Sequence, residues 1–306
     1  MTLKLDRLIL GMNPLLGVDH LSSQRARVKS RSLNNEVIAT VITAALGSGA
    51  TGINFAPESV AVDALRRFRQ LSPNSNPGLY PIIPQTRDYV RILAEKGLAG
   101  LSRDVLNKVG WAASTRYAIR GGLTLAKSSP VEALELFLDI ETTKLRKSFA
   151  SIGRFQVLLL HELATDLVVA LDSRALFEGY LKALNTINLV PGFVTRNLPR
   201  FLGFCDVTGA SLEDLVVMTP VNPIGFQMAP TAADVERELT RRPEANIIAI
   251  STLASGQVEL GDAIRYLRRF ESVKSITVGV STVQHAISTF ESLRTAFQTS
   301  QSSENG

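Results

Sequence analysis

A histidine and a glutamate stand together at the end of the cleanest apolar run in the chain. Phe155-Gln-Val-Leu-Leu-Leu160 leads straight into His161-Glu162. An imidazole in such a place can orient or protonate a carbonyl oxygen. Seven other apolar runs end on amides and hydroxyls. Asn13 follows the first, Asn54 lies in the second and Gln85 follows the third. Thr195-Arg-Asn197 follows the fifth, Thr219 and Asn222 the sixth, Ser251, Thr252 and Ser255 the seventh, and Ser281 the eighth. The set holds one His, one Glu and one Arg. That is poor for hydrolysis by paired carboxylates or for a carboxylate metal site. No Lys ends a run, which argues against a Schiff-base aldolase. Amides and hydroxyls suit hydrogen bonding to a carboxamide, to hydroxyls or to phosphate.

The runs that must position these residues are Arg7–Gly11, Gly52–Phe55, Leu79–Ile83, Phe155–Leu160, Val190–Val194, Leu215–Met218, Asn246–Ile250 and Ser275–Val280. They are continuous rather than alternating, as strands buried on both faces of a parallel sheet require. Helical periodicity fills the gaps, over Asn35–Gly47, Val60–Gln70, Arg87–Lys96, Val131–Phe149, Asp172–Leu184, Ala232–Arg241, Asp262–Phe270 and Thr282–Phe297. Strand-then-helix units in this number predict an α/β fold, a (β/α)8 TIM barrel, with a doubly wound open sheet as the alternative. In a barrel the residues named above share the C-terminal rim, where catalytic groups gather. The reading is one barrel domain over 1–297, with an extra helical insertion near 97–130 and a polar, disordered tail over 298–306.

Composition narrows the classes further. The 306 residues are 45% hydrophobic and 20% charged, which excludes wholesale disorder. Thirty-three basic and 28 acidic side chains leave +5. That excess permits anionic substrates, and no nucleic-acid partner is expected from it. Four cations alternate at Arg25, Arg27, Lys29 and Arg31; in an extended segment they share one side and could grip a phosphate or carboxylate. Cys205 is the only cysteine, and His20, His161 and His285 lie far apart, so no metal site is expected. A reducing, cytoplasmic compartment is the default, with no signal peptide and no membrane span. The sequence leaves the oligomeric state open.

From about residue 140 onward the chain resembles the aldo-keto reductases. Ser148-Phe-Ala-Ser-Ile-Gly153 and the strand ending in His161 are similar to that family's helix, strand and catalytic histidine. Val194-Thr-Arg-Asn197 is similar to its Gly-x-Ser-Asn segment, which holds the nicotinamide carboxamide. IIAISTLASGQV is similar to its strand-seven segment along the cofactor pyrophosphate, and SITVGVSTVQHAISTFESL to its last strand and helix. The resemblance implies a bound NADP or NAD, lined by Thr195, Asn197, Ser251, Leu253, Ser255, Gly279 and Ser281. It implies His161 as the residue that polarises a carbonyl. The family's Asp, Tyr and Lys are not matched: Asn54-Phe-Ala-Pro-Glu58 and Ile82-Ile-Pro-Gln85 stand in their segments. Asn54 and Gln85 therefore join His161 as catalytic candidates.

Asn13 and His20, in the loop after the first strand, together with Glu162 and Asn222, are the candidates to touch a small-molecule substrate. The implied activity is nicotinamide-dependent oxidoreduction of a small carbonyl or alcohol. Two alternatives stay open. One is a lyase or isomerase acting on a small anionic substrate through Arg25, Arg27 or Arg196. The other is a protein that binds a dinucleotide without turnover.

Overall fold

A computed structural model describes residues 3–16, 34–84 and 130–302. The chain runs β1 (Leu8–Gly11), a 3-10 turn (Asn13–Leu16), α1 (Asn35–Gly47), β2 (Gly52–Phe55), α2 (Ser59–Leu71) and β3 (Gly78–Ile83). It continues with α3 (Pro130–Phe149), β4 (Arg154–Phe155), β5 (Val157–Leu160), α4 (Glu162–Ala170), α5 (Arg174–Thr186), β6 (Val190–Val194) and α6 (Leu198–Thr208). Then come β7 (Val216–Pro220), α7 (Ala232–Arg241), β8 (Asn246–Ile250), a 3-10 turn (Ala254–Gly256), α8 (Leu260–Leu267), β9 (Val273–Gly279) and α9 (Val283–Ser302). The expected helix at 87–96, the insertion near 97–130 up to residue 129, and the cations at 25–31 lie outside the described residues, as do His20 and Gln85. The last helix runs to Ser302, into the stretch expected as tail.

Strand order is β2-β1-β9-β8-β7-β6-β5-β3, and β2 also pairs with β3, so the sheet closes on itself. Every pairing is parallel. The expected barrel is present, and its strands bury two faces. Ile9, Tyr80, Val157, Leu159, Val194, Val216, Met218 and Ile248 pack together inside. Their sequence neighbours Leu8, Leu10, Leu158, Phe193, Val217 and Ile247, with Ile53 and Val278, pack outward against the helices.

One predicted strand is two. Leu79 pairs with Phe155 but Ile82 pairs with Leu159, so the later strand carries one extra residue. That is a bulge at exposed Gln156, and it flips the side-chain parity. Phe155 packs with the helix layer while Val157 faces the interior.

The N-terminal end of the barrel is closed by a polar plug. The Tyr80 hydroxyl donates to Asp6 Oδ2 at 2.8 Å and accepts the Asp6 N–H at 2.9 Å. Arg154 pairs with the other Asp6 oxygen at 2.8 Å. Burial, then the Asp6 charge, pushes the Tyr80 phenol well above its ordinary value, so it stays protonated. Room for this plug comes from Gly78 and Gly52: a Cβ at Gly78 would lie 1.8 Å from Asp6 Oδ2, and one at Gly52 2.8 Å from the Tyr80 ring. Tyr80→Phe removes one hydroxyl and leaves a nearly buried carboxylate short of a donor. It should destabilise the fold by about 1–3 kcal/mol in urea unfolding. An unchanged midpoint would show the plug to be incidental.

Candidate active site

β5 delivers His161 to the rim with no loop between strand and helix. The His161 N–H donates to Ile83 O at 2.6 Å, continuing the pairing with β3. The chain then enters α4 at once, and His161 is its N-cap: Nδ1 accepts the Leu163 N–H at 3.2 Å. An acceptor nitrogen bears no hydrogen, so the neutral ring carries its proton on Nε2. The ring is half-exposed.

The next residue, Glu162, sits in the first turn of α4, where a carboxylate complements the helix dipole. It holds Arg196 through two bonds, Nε to Oε2 at 3.1 Å and Nη2 to Oε1 at 2.9 Å. One turn further, Asp166 accepts the Thr195 hydroxyl at 2.6 Å. Asp166 is held above the ordinary carboxylate value. Burial is the largest cause and the Glu162 charge adds to it, against the Thr195 hydrogen bond and Arg196. Nothing in the sequence pointed to Asp166. Its partner is 29 residues away and comes from another strand.

Thr195 and Asn197 are brought to this cluster. The Thr195 hydroxyl accepts the Asn197 N–H at 3.1 Å, and Asn197 Oδ1 caps α6 by accepting the Arg200 N–H at 3.1 Å. Arg196 O accepts the Ala229 N–H at 3.0 Å, which ties the segment to the loop after β7. Across that loop, Ser251 donates to Gln227 Oε1 at 3.1 Å. Gln227 is a second contact the sequence did not reveal. Leu253 and Ser281 are half-exposed, and Ser255 is fully exposed in the turn after β8.

Other candidates are engaged in the scaffold. Asn54 is buried and its side-chain amide donates to Tyr80 O at 2.8 Å, while its own carbonyl accepts Met12 N–H at 3.0 Å. Asn222 closes its own loop. It donates to Phe226 O and accepts the Phe226 N–H, both at 2.8 Å. Gly279 lies under the turn that carries half-exposed Asn13: a Cβ there would come within 2.6 Å of Pro14 Cγ. Among the described residues no three His, Cys, Asp or Glu side chains gather to hold a metal ion.

No family model and no curated protein matches the sequence. Solved structures do. Two structures of a candidate aldo-keto reductase from Pseudomonas aeruginosa superpose with TM-scores of 0.52 and 0.55. Each is 15% identical and the match covers 95% of this chain and 90% of theirs. The fold is that of the aldo-keto reductase barrel. At this identity the likeness speaks of the fold, and the chemistry must come from the site.

Two outcomes follow from the site's electrostatics. A raised carboxyl favours the protonated form, so its contribution is present at acid pH and is lost as pH rises through the folded value. The wild type should therefore gain thermal stability relative to Asp166→Asn on going from about pH 7 to about pH 4. A pH-independent difference in melting temperature would refute the shift. Burial pushes the Cys205 thiol up to about 12. It should stay unreactive toward a disulfide reagent until the protein unfolds.

Proposed function

We propose that the protein is a nicotinamide-dependent oxidoreductase, using NADP or NAD, acting on a small carbonyl or alcohol. His161 carries this reading. It stands at the end of the fourth barrel strand with Nδ1 engaged in the helix cap and Nε2–H left as a donor. A donor of that kind orients a carbonyl and stabilises the charge that develops on its oxygen.

The bound dinucleotide would supply the hydride. The segment after β8 supports such a ligand. Leu253 has right-handed backbone angles, and Ala254 and Ser255 follow with φ of 44° and 59°. Ala254 N–H is already taken by Ser251 O at 2.9 Å and Gly256 N–H by Leu253 O at 2.8 Å, so the group this turn offers a phosphate is the exposed Ser255 hydroxyl. Left-handed angles at Ser251, Ala254 and Ser255 cost free energy at non-glycine residues, and such strain concentrates at ligand sites. Ser255, Ser251, Leu253, Gly279 and Ser281 would line the diphosphate and adenosine side. Asn197 would face the carboxamide with its amide nitrogen as donor, and Thr195, buried and bonded to Asp166 and to the Asn197 N–H, would stand behind it.

The tyrosine of β3 does not supply a proton at the rim, because its hydroxyl is bound to Asp6 in the plug. A neutral Nε2–H orients an oxygen better than it acidifies it, so water delivers the proton. An anionic substrate has less support. Arg196 is neutralised by Glu162, and among the described rim residues no other cation was a candidate. A single buried thiol fits the cytoplasm as the compartment.

Titration with NADPH and NADH, followed by nicotinamide fluorescence, should show micromolar binding of at least one. Benzaldehyde reduction should then fall about 100-fold in kcat for His161→Ala, with the dinucleotide Kd unchanged. A folded wild type that binds neither nucleotide would sink the reading. Binding without turnover of any carbonyl would leave a dinucleotide-binding protein.

A further inference from the structure

The first turn and a half of α4 grips two consecutive residues of another segment. Glu162 takes the Arg196 guanidinium, and Asp166 takes the Thr195 hydroxyl. Thr195 relays the hold by accepting the Asn197 N–H. The same helix turn is capped by His161. We infer that the Asp166–Thr195 pair is a positioning clamp that sets Asn197 against His161, so that carboxamide anchor and carbonyl donor keep one fixed separation. This rests on the dinucleotide reading above.

Three features favour positioning over mere stability. Thr195 is 1% exposed, and its hydroxyl both donates and accepts, so its orientation is fully determined. Asp166 is held in a setting that disfavours its charge, which a residue kept for stability would avoid. The Arg196–Glu162 pair is partly solvent-exposed, so screening leaves it little energy, while its two-bond geometry still fixes direction. The contacts join the start of α4, after β5, to the segment after β6, where the proposed reacting groups meet.

The test compares Thr195→Val, Thr195→Ser, Asp166→Ala and the Asp166→Ala/Thr195→Val double variant. Each is checked for folding by circular dichroism, then titrated with NADPH and assayed with benzaldehyde. Thr195→Val and Asp166→Ala should each weaken NADPH by about tenfold, the equivalent of one hydrogen bond, and the double variant by no more than either. Thr195→Ser keeps the hydroxyl and should stay within about twofold of wild type. Benzaldehyde kcat should fall more than its KM rises, because orientation and not uniform binding is lost. Folded variants that bind NADPH as the wild type does would overturn the clamp and leave the dinucleotide reading intact. Additive losses in the double variant would overturn it too. Failure of the wild type itself to bind NADPH or NADH would overturn both, and would be seen before any variant is made.

Discussion

A closed parallel barrel has no edge, so each strand must hydrogen-bond on both sides and bury both faces. The requirement falls hardest on polar groups. Inside the barrel an unpaired buried polar group costs about 1–3 kcal/mol. The interior here sorts most of its polarity to the two ends, while the buried hydroxyls of Thr219, Ser275 and Thr277 have no partner among the described residues. Tyr80, Asp6 and Arg154 satisfy one another at the base. Ile9, Val157, Leu159, Val216, Met218 and Ile248 fill the middle. Asn54, His161 and the Thr195–Asn197 segment stand at the top, where ligands can enter.

Closure also explains the bulge. Eight strands of four to seven residues must meet with consistent stagger, and the short β3 to β5 junction achieves this only by gaining a residue at Gln156. The bulge sets the parity of everything after it. Without it Val157, Leu159 and His161 would point toward the helices and Leu158 and Leu160 inward. The position of the imidazole at the rim is therefore fixed by a polar residue near the opposite end of its strand.

The strands were legible because two-sided burial writes itself as unbroken apolar runs, and the helices at 35–47 and 232–241 were legible because one face is polar. Phe155–Leu160 reads as one strand because a bulge changes pairing, which composition does not record. Helices α4 and α6 escaped notice since they begin one and three residues after a strand, at Glu162 and Leu198, with no turn cluster to announce them. Their caps, His161 and Asn197, read from the sequence as site residues, and each also caps its helix. Asn222 was legible as polar and placed at a strand end, but Asn before Pro in a Gly-containing loop bonds its own backbone, and it does so here. Asp166 was invisible for the opposite reason: its meaning lies in a contact between two loops that only the closed barrel brings together.

His161 raises the question of whether capping alone accounts for it. Ser, Thr, Asn and Asp cap helices better than His, because their short oxygens reach the N2 and N3 amides with little loss of rotamer freedom. Asn34, Asn197 and Thr231 show that this chain uses such caps elsewhere. An imidazole at the start of α4 meets the same need with a weaker acceptor at 3.2 Å. What it adds is a second nitrogen, rigidly opposed to the first and carrying the hydrogen. Capping fixes the ring's tautomer, and the tautomer presents Nε2–H at the rim. The cap and the proposed donor role of His161 are thus one arrangement: the helix engages one side of the ring, and the other side is left to donate.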